Sequence, residues 1–218
     1  LLHQGATLPM RIHLIGVAGS GMRGIASLLI DLGHRVSGSD RVMTSETERL
    51  QRVGLDFHCP HCAETLSDAQ LVIYSSAIKP GNIVYDAAVE LGLPMLRRAE
   101  ALSLIMEGQK GIVIAGTHGK TTTAALAAHV LRAAGVEPSH YIGAEIPILG
   151  TNAHWESNGK YFVAEGDESD GSLVAFNPEL AMILNIEEEH LDHYSGGIEE
   201  IREVFRRFVD ATAGGVVY

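Results

Sequence analysis

Residues 111–126 read GIVIAGTHGKTTTAAL. An apolar run enters two closely spaced glycines, and a Lys–Thr pair opens the segment that follows. Glycines let backbone N–H groups fold around an anion, and a helix N-terminus adds partial positive charge. The chemistry of this arrangement is phosphate binding. Gly116, Thr117, Gly119, Lys120, Thr121 and Thr122 would form the cradle, Lys120 would reach the β- and γ-phosphates, and the Thr121 hydroxyl would ligate Mg2+. The longer pattern G-x-x-x-x-G-K-[ST] needs a glycine at position 114, where this chain has Ile114. The loop is therefore the shorter G-T-x-G-K-T form.

A nucleoside triphosphate loop needs carboxylate help with its metal. The run YFVAEGDESD ends its apolar part at Glu165, and Asp167, Glu168, Ser169 and Asp170 follow. Mg2+ takes oxygen ligands, and a carboxylate at the C-terminal end of a strand faces the ligand crevice of an α/β sheet. The run LAMILNIEEEH likewise leads from a strand to His190, a candidate for placing a second metal ion.

A second glycine-rich loop lies upstream. Gly16, Gly19, Gly21 and Gly24 contain G-x-G-x-x-G after one apolar run and before another, and Asp40 closes the next strand. That spacing suits a dinucleotide, but the same physics holds any diphosphate, including that of a nucleotide sugar. The two cysteines, Cys59 and Cys62, stand in HCPHC beside His58 and His61. Zinc sites draw ligands from two separated places, so this lone cluster reads as a surface turn.

The elements that must position these residues alternate strand and helix. RIHLIGV is a strand. The helix after it shows Ile25, Leu28, Leu29 and Leu32 on one face and stops at Gly33. HRVSGSD, LDFH, QLVIYSSAI and LPMLRR are further strands, with helices between them. The rhythm restarts after Gly108–Lys110. Strands are expected at 111–115, SHYIGAEI, 161–164 and 180–186, with helices at 120–134 and from Ile198, the latter burying Ile198, Ile201, Phe205 and Phe208. GTNAHWESNGK reads as a polar loop, and GGVVY opens another strand. The pattern is α/β, with parallel sheets and right-handed crossovers.

Composition sets the bounds. The 218 residues carry 46% hydrophobic and 20% charged residues, which suits folded cores. The net charge of −11 disfavours general nucleic-acid binding. No apolar run has the length of a membrane span, and LLHQGATLPM is too short and uncharged for a secretion signal, so a cytoplasmic protein without membrane partners is expected.

Taken together, GVAGSGMRGIA, VSGSD, YSSAI, LRRAE, AGTHGKTTT, GTNA, AEGDESDGS and NIEEEHLDHY resemble the Mur ligases, the ATP-dependent enzymes that build the peptide of peptidoglycan. These segments span positions 16–194 in the family's order, and G-T-x-G-K-T is the family's usual loop. The resemblance implies a Rossmann-like UDP-sugar-binding domain at 1–107 and a P-loop ATPase domain at 108–218, the latter incomplete, with the C-terminal ligase domain absent. It implies that Gly19, Ser20, Gly21 and Met22 cradle the diphosphate. Ser39 and Asp40 would lie near the uridine, and Ser75, Ser76 and Ala77 would close the crevice. His61 falls where the family has a histidine in G-H-x-x-E-N-L, here PHCAETL. Lys120, Thr121, Glu165 and His190 would hold ATP and two Mg2+ ions. Thr151, Asn152, Asp167, Glu168 and Ser169 would contact the muramoyl group, and His118 would face the reacting carboxylate.

The branch most resembled joins L-alanine to the lactyl carboxylate of UDP-N-acetylmuramate through an acyl phosphate. Sister ligases carry a modified lysine soon after the metal histidine; the helix here offers Arg202, Arg206 and Arg207 instead. The chain alone, lacking the closing domain, is expected to bind the nucleotide sugar but to turn over poorly. Two rivals stand beside this reading. One is the salvage ligase that attaches a whole tripeptide. The other is an NAD-binding oxidoreductase or nucleotide sensor, which leaves Lys120, Glu165 and His190 idle.

Overall fold

The computed structural model describes residues 2, 9–169, 171–189 and 194–218. The chain divides into two units, Leu1–Leu102 and Ser103–Tyr218.

The first unit is built on five parallel strands, β1 (Arg11–Ile15), β2 (Arg35–Ser39), β3 (Asp56–His58), β4 (Leu71–Tyr74) and β5 (Met95–Arg97), in the order β3-β2-β1-β4-β5. Helices α1 (Ser20–Asp31), α2 (Ser45–Arg52) and α3 (Ile83–Glu90) fill the crossovers, and α4 (Arg98–Met106) leads out of the last strand. Central strand β1 buries Ile12, Leu14 and Ile15, while α1 buries Ile25, Leu28 and Leu29 on the expected face. Leu32 is only half-buried, because the helix ends at Asp31 and Leu32 is its C-cap.

The second unit carries β6 (Lys110–Ala115), β7 (Ser139–Tyr141), β8 (Ala153–His154), β9 (Tyr161–Glu165), β10 (Leu180–Ile183) and β11 (Gly215–Val217), in the order β11-β10-β6-β9-β7-β8. Helix α5 (Lys120–Ala133) follows β6, and α6 (Ile198–Asp210) precedes β11. Every pairing is parallel except β7 with β8. This corrects two expectations. The second sheet is mixed, and GTNAHWESNGK is not wholly loop, because His140 pairs with His154 across an antiparallel edge. Trp155 follows that edge, 4% exposed, and packs on Phe162 with ring centroids 6.0 Å apart. Helix α6 buries Ile201, Phe205 and Phe208. Ile198, its first residue, is half-buried.

In both sheets the first strand of the unit is central and the chain crosses from one side of it to the other. The loop after that strand lies at the switch point, where open α/β sheets bind ligands. The two glycine loops occupy these two positions.

Candidate functional site

The helix N-termini at the two loops share an electrostatic signature. Helices α2, α3, α4 and α6 each carry an acidic residue in the first turn. Helices α1 and α5 carry none there, and their N-caps, Gly19 and Gly119, offer no side-chain cap. Neither helix carries an acidic residue of its own in its first turn, which leaves its N–H groups to favour an anion.

In the second unit, Gly116 has φ +143° and Gly119 φ +85°, backbone conformations that favour glycine. A Cβ on Gly116 would meet the backbone N and O of Asn185 at 3.1 Å. Asn185 pins the loop. Its Oδ1 accepts from the His118 N–H at 2.8 Å, its Nδ2 donates to the His118 carbonyl at 3.1 Å, and its own carbonyl accepts from Thr117 N–H at 3.2 Å. The Thr117 hydroxyl accepts from the Glu187 N–H at 2.9 Å. Sequence reasoning gave Asn185 no role; its signal was an amide side chain just beyond the end of strand β10.

Lys120 opens α5. Its Nζ donates to the carbonyls of Gly116 at 2.5 Å and Thr117 at 3.1 Å, and lies 3.1 and 3.0 Å from the two carboxylate oxygens of Glu168. Glu168 is 2% exposed, and its backbone carbonyl accepts from the Tyr194 hydroxyl. The Thr121 hydroxyl donates to the Glu165 carboxylate at 3.0 and 3.1 Å, and Gly143 N–H donates to the same carboxylate at 2.8 Å. A cavity of about 340 Å³ is lined by Thr117 to Thr122 and Glu165. The structure thus gathers Thr117, His118, Gly119, Lys120, Thr121, Thr122 and Glu165 around one space, with Gly116 and Glu168 bound to Lys120.

The remaining expected residues of this unit fall as follows. His118 is exposed, its Nε2 3.4 Å from Glu189 and 3.8 Å from Glu187. Asp167 folds back on its own turn, accepting from Ser169 N–H at 3.0 Å and the Ser169 hydroxyl at 2.6 Å. The Thr151 hydroxyl is tied to Ala153, and the Thr151 carbonyl meets His140 Nε2 at 3.2 Å. Asn152 is buried, its carbonyl accepting from Ile142 N–H. Asp170 and His190 lie outside the described residues.

In the first unit, Gly16 turns at φ +84° and its N–H donates to the Ser39 carbonyl at 2.9 Å. Asp40 closes the loop from the side: its carboxylate accepts from Ala18 N–H at 2.8 Å and Arg41 N–H at 2.7 Å. Gly38 allows β2 to pass close to the loop, since a Cβ there would meet Val17 at 2.8 Å. Ser75 packs against Gly16 from the other side, while Ser76 and Ala77 are exposed. Gly19 caps α1, whose first residues are Ser20, Gly21 and the buried Met22.

Ser39 is fully buried. Its hydroxyl meets His13 Nε2 at 3.0 Å and His61 Nδ1 at 2.9 Å, and His13 Nδ1 meets the Ser37 hydroxyl at 2.8 Å. Burial pushes His13 down from 6.5 to about 4, and burial also lowers His61. His61 lines a cavity of about 550 Å³ with His58, Cys59, Cys62 and Glu64. The Cys62 thiol donates to the Glu64 carboxylate, which raises the thiol's pKa. His13 escaped sequence reasoning, because only the β1–β2 register, with His13 opposite Ser37, brings it to the serines.

Residues 11–110 match the model of the Mur ligase family, catalytic domain, and residues 114–217 that of the Mur ligase middle domain. The chain is 46% identical over 200 residues to the UDP-N-acetylmuramate–L-alanine ligase of Pelobacter propionicus, covering 92% of this chain and 43% of that protein. It is 42% identical over 200 residues to the like-named ligase of Geobacter sulfurreducens, again covering 92% and 43%. Among solved structures it is similar to the UDP-N-acetylmuramate:L-alanyl-γ-D-glutamyl-meso-diaminopimelate ligase from Neisseria meningitides, with a TM-score of 0.86, 30% identity, and coverage of 94% of this chain and 69% of that one. It is also similar to the UDP-N-acetylmuramate–alanine ligase of Thermotoga maritima, with a TM-score of 0.85, 29% identity, and coverage of 96% and 49%. The chain spans less than half the length of the curated relatives it matches.

Proposed function

The chain belongs to the Mur ligase family, and on that premise we propose that it is the nucleotide-sugar-binding and ATP-binding part of a ligase that joins L-alanine to UDP-N-acetylmuramate. The observation that carries the reading is the convergence of Lys120, Thr121 and Glu165 on one cavity at the C-terminal end of β6. The choice of L-alanine over a tripeptide rests on the curated relatives, which are 46% and 42% identical and bear the alanine-adding name.

Magnesium fits the donor set. Thr121 and Glu165 supply hydroxyl and carboxylate oxygens already within 3.0 Å of each other, and Mg2+ is a hard cation that prefers oxygen. When bound there, the ion would neutralise phosphate charge during transfer. The proposal keeps a second ion near His190.

In the proposed reaction a lactyl carboxylate oxygen attacks the γ-phosphorus of ATP, and the bond to ADP breaks. Two anions must approach, so the protein's part is to supply fixed positive potential. Lys120 does this with its ammonium, and the bare N-terminus of α5 with its N–H groups. Gly116 and Gly119 let the loop backbone come close. The neutral alanine amine then attacks the acyl phosphate, the C–O bond to phosphate breaks, and one amine proton passes to solvent while the other stays as the amide N–H. His118 stands at the cavity wall, with Glu187 and Glu189 behind it, where the reacting carboxylate would enter. In the first unit Gly19, Ser20, Gly21 and Met22, at the N-terminus of α1, would cradle the diphosphate of the sugar nucleotide.

Calorimetric titration with UDP-N-acetylmuramate, UDP and NADH tests the first unit. Preference for the muramoyl nucleotide over UDP supports the reading, and binding of NADH alone overturns it. Phosphate release that depends on L-alanine, but not on the tripeptide, in a protein of the relatives' full length tests the acceptor.

A further inference from the structure

We propose that His13, buried in β1, is a positioning residue: it orients the Ser39 hydroxyl so that His61 presents an N–H donor to an acceptor oxygen of the nucleotide held by the first unit. This rests on the nucleotide-sugar reading of that unit.

The Ser39 hydroxyl lies within hydrogen-bond distance of two ring nitrogens, His13 Nε2 at 3.0 Å and His61 Nδ1 at 2.9 Å. It has a single hydrogen, so it donates to one ring and accepts from the other. Both directions are self-consistent. If Ser39 donates to His13, then His61 Nδ1 carries a proton, and the outer nitrogen of His61 is left as a lone pair. If His13 Nε2–H donates to Ser39, then Ser39 donates to His61 Nδ1, and His61 carries its proton on Nε2.

Tautomer preference selects the second direction. Ser37, 2.8 Å from His13 Nδ1, closes the chain either way, donating its hydroxyl to a bare ring nitrogen or accepting from an N–H. In the second direction both rings hold the Nε2–H form, the intrinsically preferred tautomer of a neutral histidine; in the other, both hold the disfavoured one. The buried interior also excludes the escape of charging a ring: His13 is fully buried, and burial keeps it neutral to about pH 4. The titratable groups acting on the two rings are His58, His61 and Asp56 on His13 and Asp40 and Arg41 on His61, and among the described residues no carboxylate takes part in the chain's hydrogen bonds.

The consequence is a donor of fixed kind on a half-buried ring at the wall of a cavity of about 550 Å³. It suits an acceptor oxygen, whether on a phosphate or on a carbonyl of the base. Ser39 itself is fully buried and reaches that ligand only through His61.

Long-range 1H–15N correlation spectra of the 15N-histidine-labelled chain at pH 7 test the chain of bonds without ligand. His61 is expected as a single Nε2–H tautomer. Ser39→Ala and His13→Leu should each yield a tautomer mixture. His13→Gln, whose amide can donate to Ser39, should restore the single form. If His13→Leu loses the folded amide spectrum, Ser39→Ala, which removes one oxygen, carries the comparison. An Nδ1–H form in the parent chain, or an unchanged distribution in the variants, overturns the proposal.

Titration with UDP, uridine and pyrophosphate then locates the acceptor. UDP binding should weaken about two- to threefold in Ser39→Ala, because only the Nε2–H fraction of the tautomer mixture presents the donor. A matching loss for uridine alone marks the base, and for pyrophosphate alone the phosphates. Equal UDP binding by parent and variant overturns the recognition role. Should the tautomers behave as expected while none of the three ligands binds the parent chain, the hydrogen-bonded chain stands and the nucleotide reading of the unit falls.

Discussion

Lys120, in the wall of the phosphate-loop cavity, forms an ion pair with Glu168, its ammonium 3.1 and 3.0 Å from the two carboxylate oxygens and Glu168 only 2% exposed. The pair holds Lys120 back over its own loop, where it also bonds to Gly116 and Thr117. A buried pair is costly to break on one side, because the partner is left as an uncompensated charge. Glu168→Ala is therefore expected to lower stability by about 3 kcal/mol. The double variant Glu168→Ala/Lys120→Met should recover part of that loss. Urea denaturation of the parent, both single variants and the double variant gives the coupling energy; additive losses would mean that the pair is not coupled.

Thr121 and Glu165 supply the proposed metal oxygens, so their loss should appear as weakened magnesium dependence. Glu165→Gln keeps the shape and one acceptor but removes the charge. The magnesium concentration needed for half-maximal ATP binding should rise about tenfold or more, with stability changed by less than about 1 kcal/mol. Titrating ATP binding at several magnesium concentrations, beside a denaturation curve, checks both halves.

Both glycine loops were legible in the sequence, because each follows an apolar run and opens a helix, and φ > 0 positions favour glycine. Lys120, Thr121 and Glu165 were legible for the same reason: a strand end and a helix start fix them locally. What was not legible depends on register between distant segments. His13 becomes interpretable only when β1 pairs with β2 and sets it opposite Ser37. Glu168 belonged by sequence to a run of acids, yet the fold buries it against Lys120 while its neighbour Asp167 binds its own turn. Strand β8 hid in a polar stretch because two residues pairing at a sheet edge leave no period to read.

Asn185 ties its side chain to both backbone groups of His118. Asn185→Ala removes both bonds and leaves the loop held by backbone contacts and Thr117. The expected cost is about 1–2 kcal/mol of stability and a Kd for ATP raised several-fold. Asn185→Asp keeps the acceptor for the His118 N–H but loses the donor, and should fall between the parent and Asn185→Ala. An unchanged Kd in Asn185→Ala, by calorimetric titration, would show that the loop keeps its shape without this residue.

Acid should destabilise both units through buried histidines. Burial lowers His13, in the first unit, and His140, in the second, from 6.5 to about 4. Between these values the unfolded chain binds a proton that the folded chain does not, so stability rises with pH across that window. The contribution is fully present above about pH 6.5 and is lost as the pH falls toward 4. Each histidine amounts to roughly 3 kcal/mol over the full window. Urea denaturation at pH 7.5, 6 and 5 should show falling stability, and His13→Gln, which cannot titrate, should flatten the dependence for the first unit. A slope in that variant as steep as in the parent would assign the acid sensitivity to other groups.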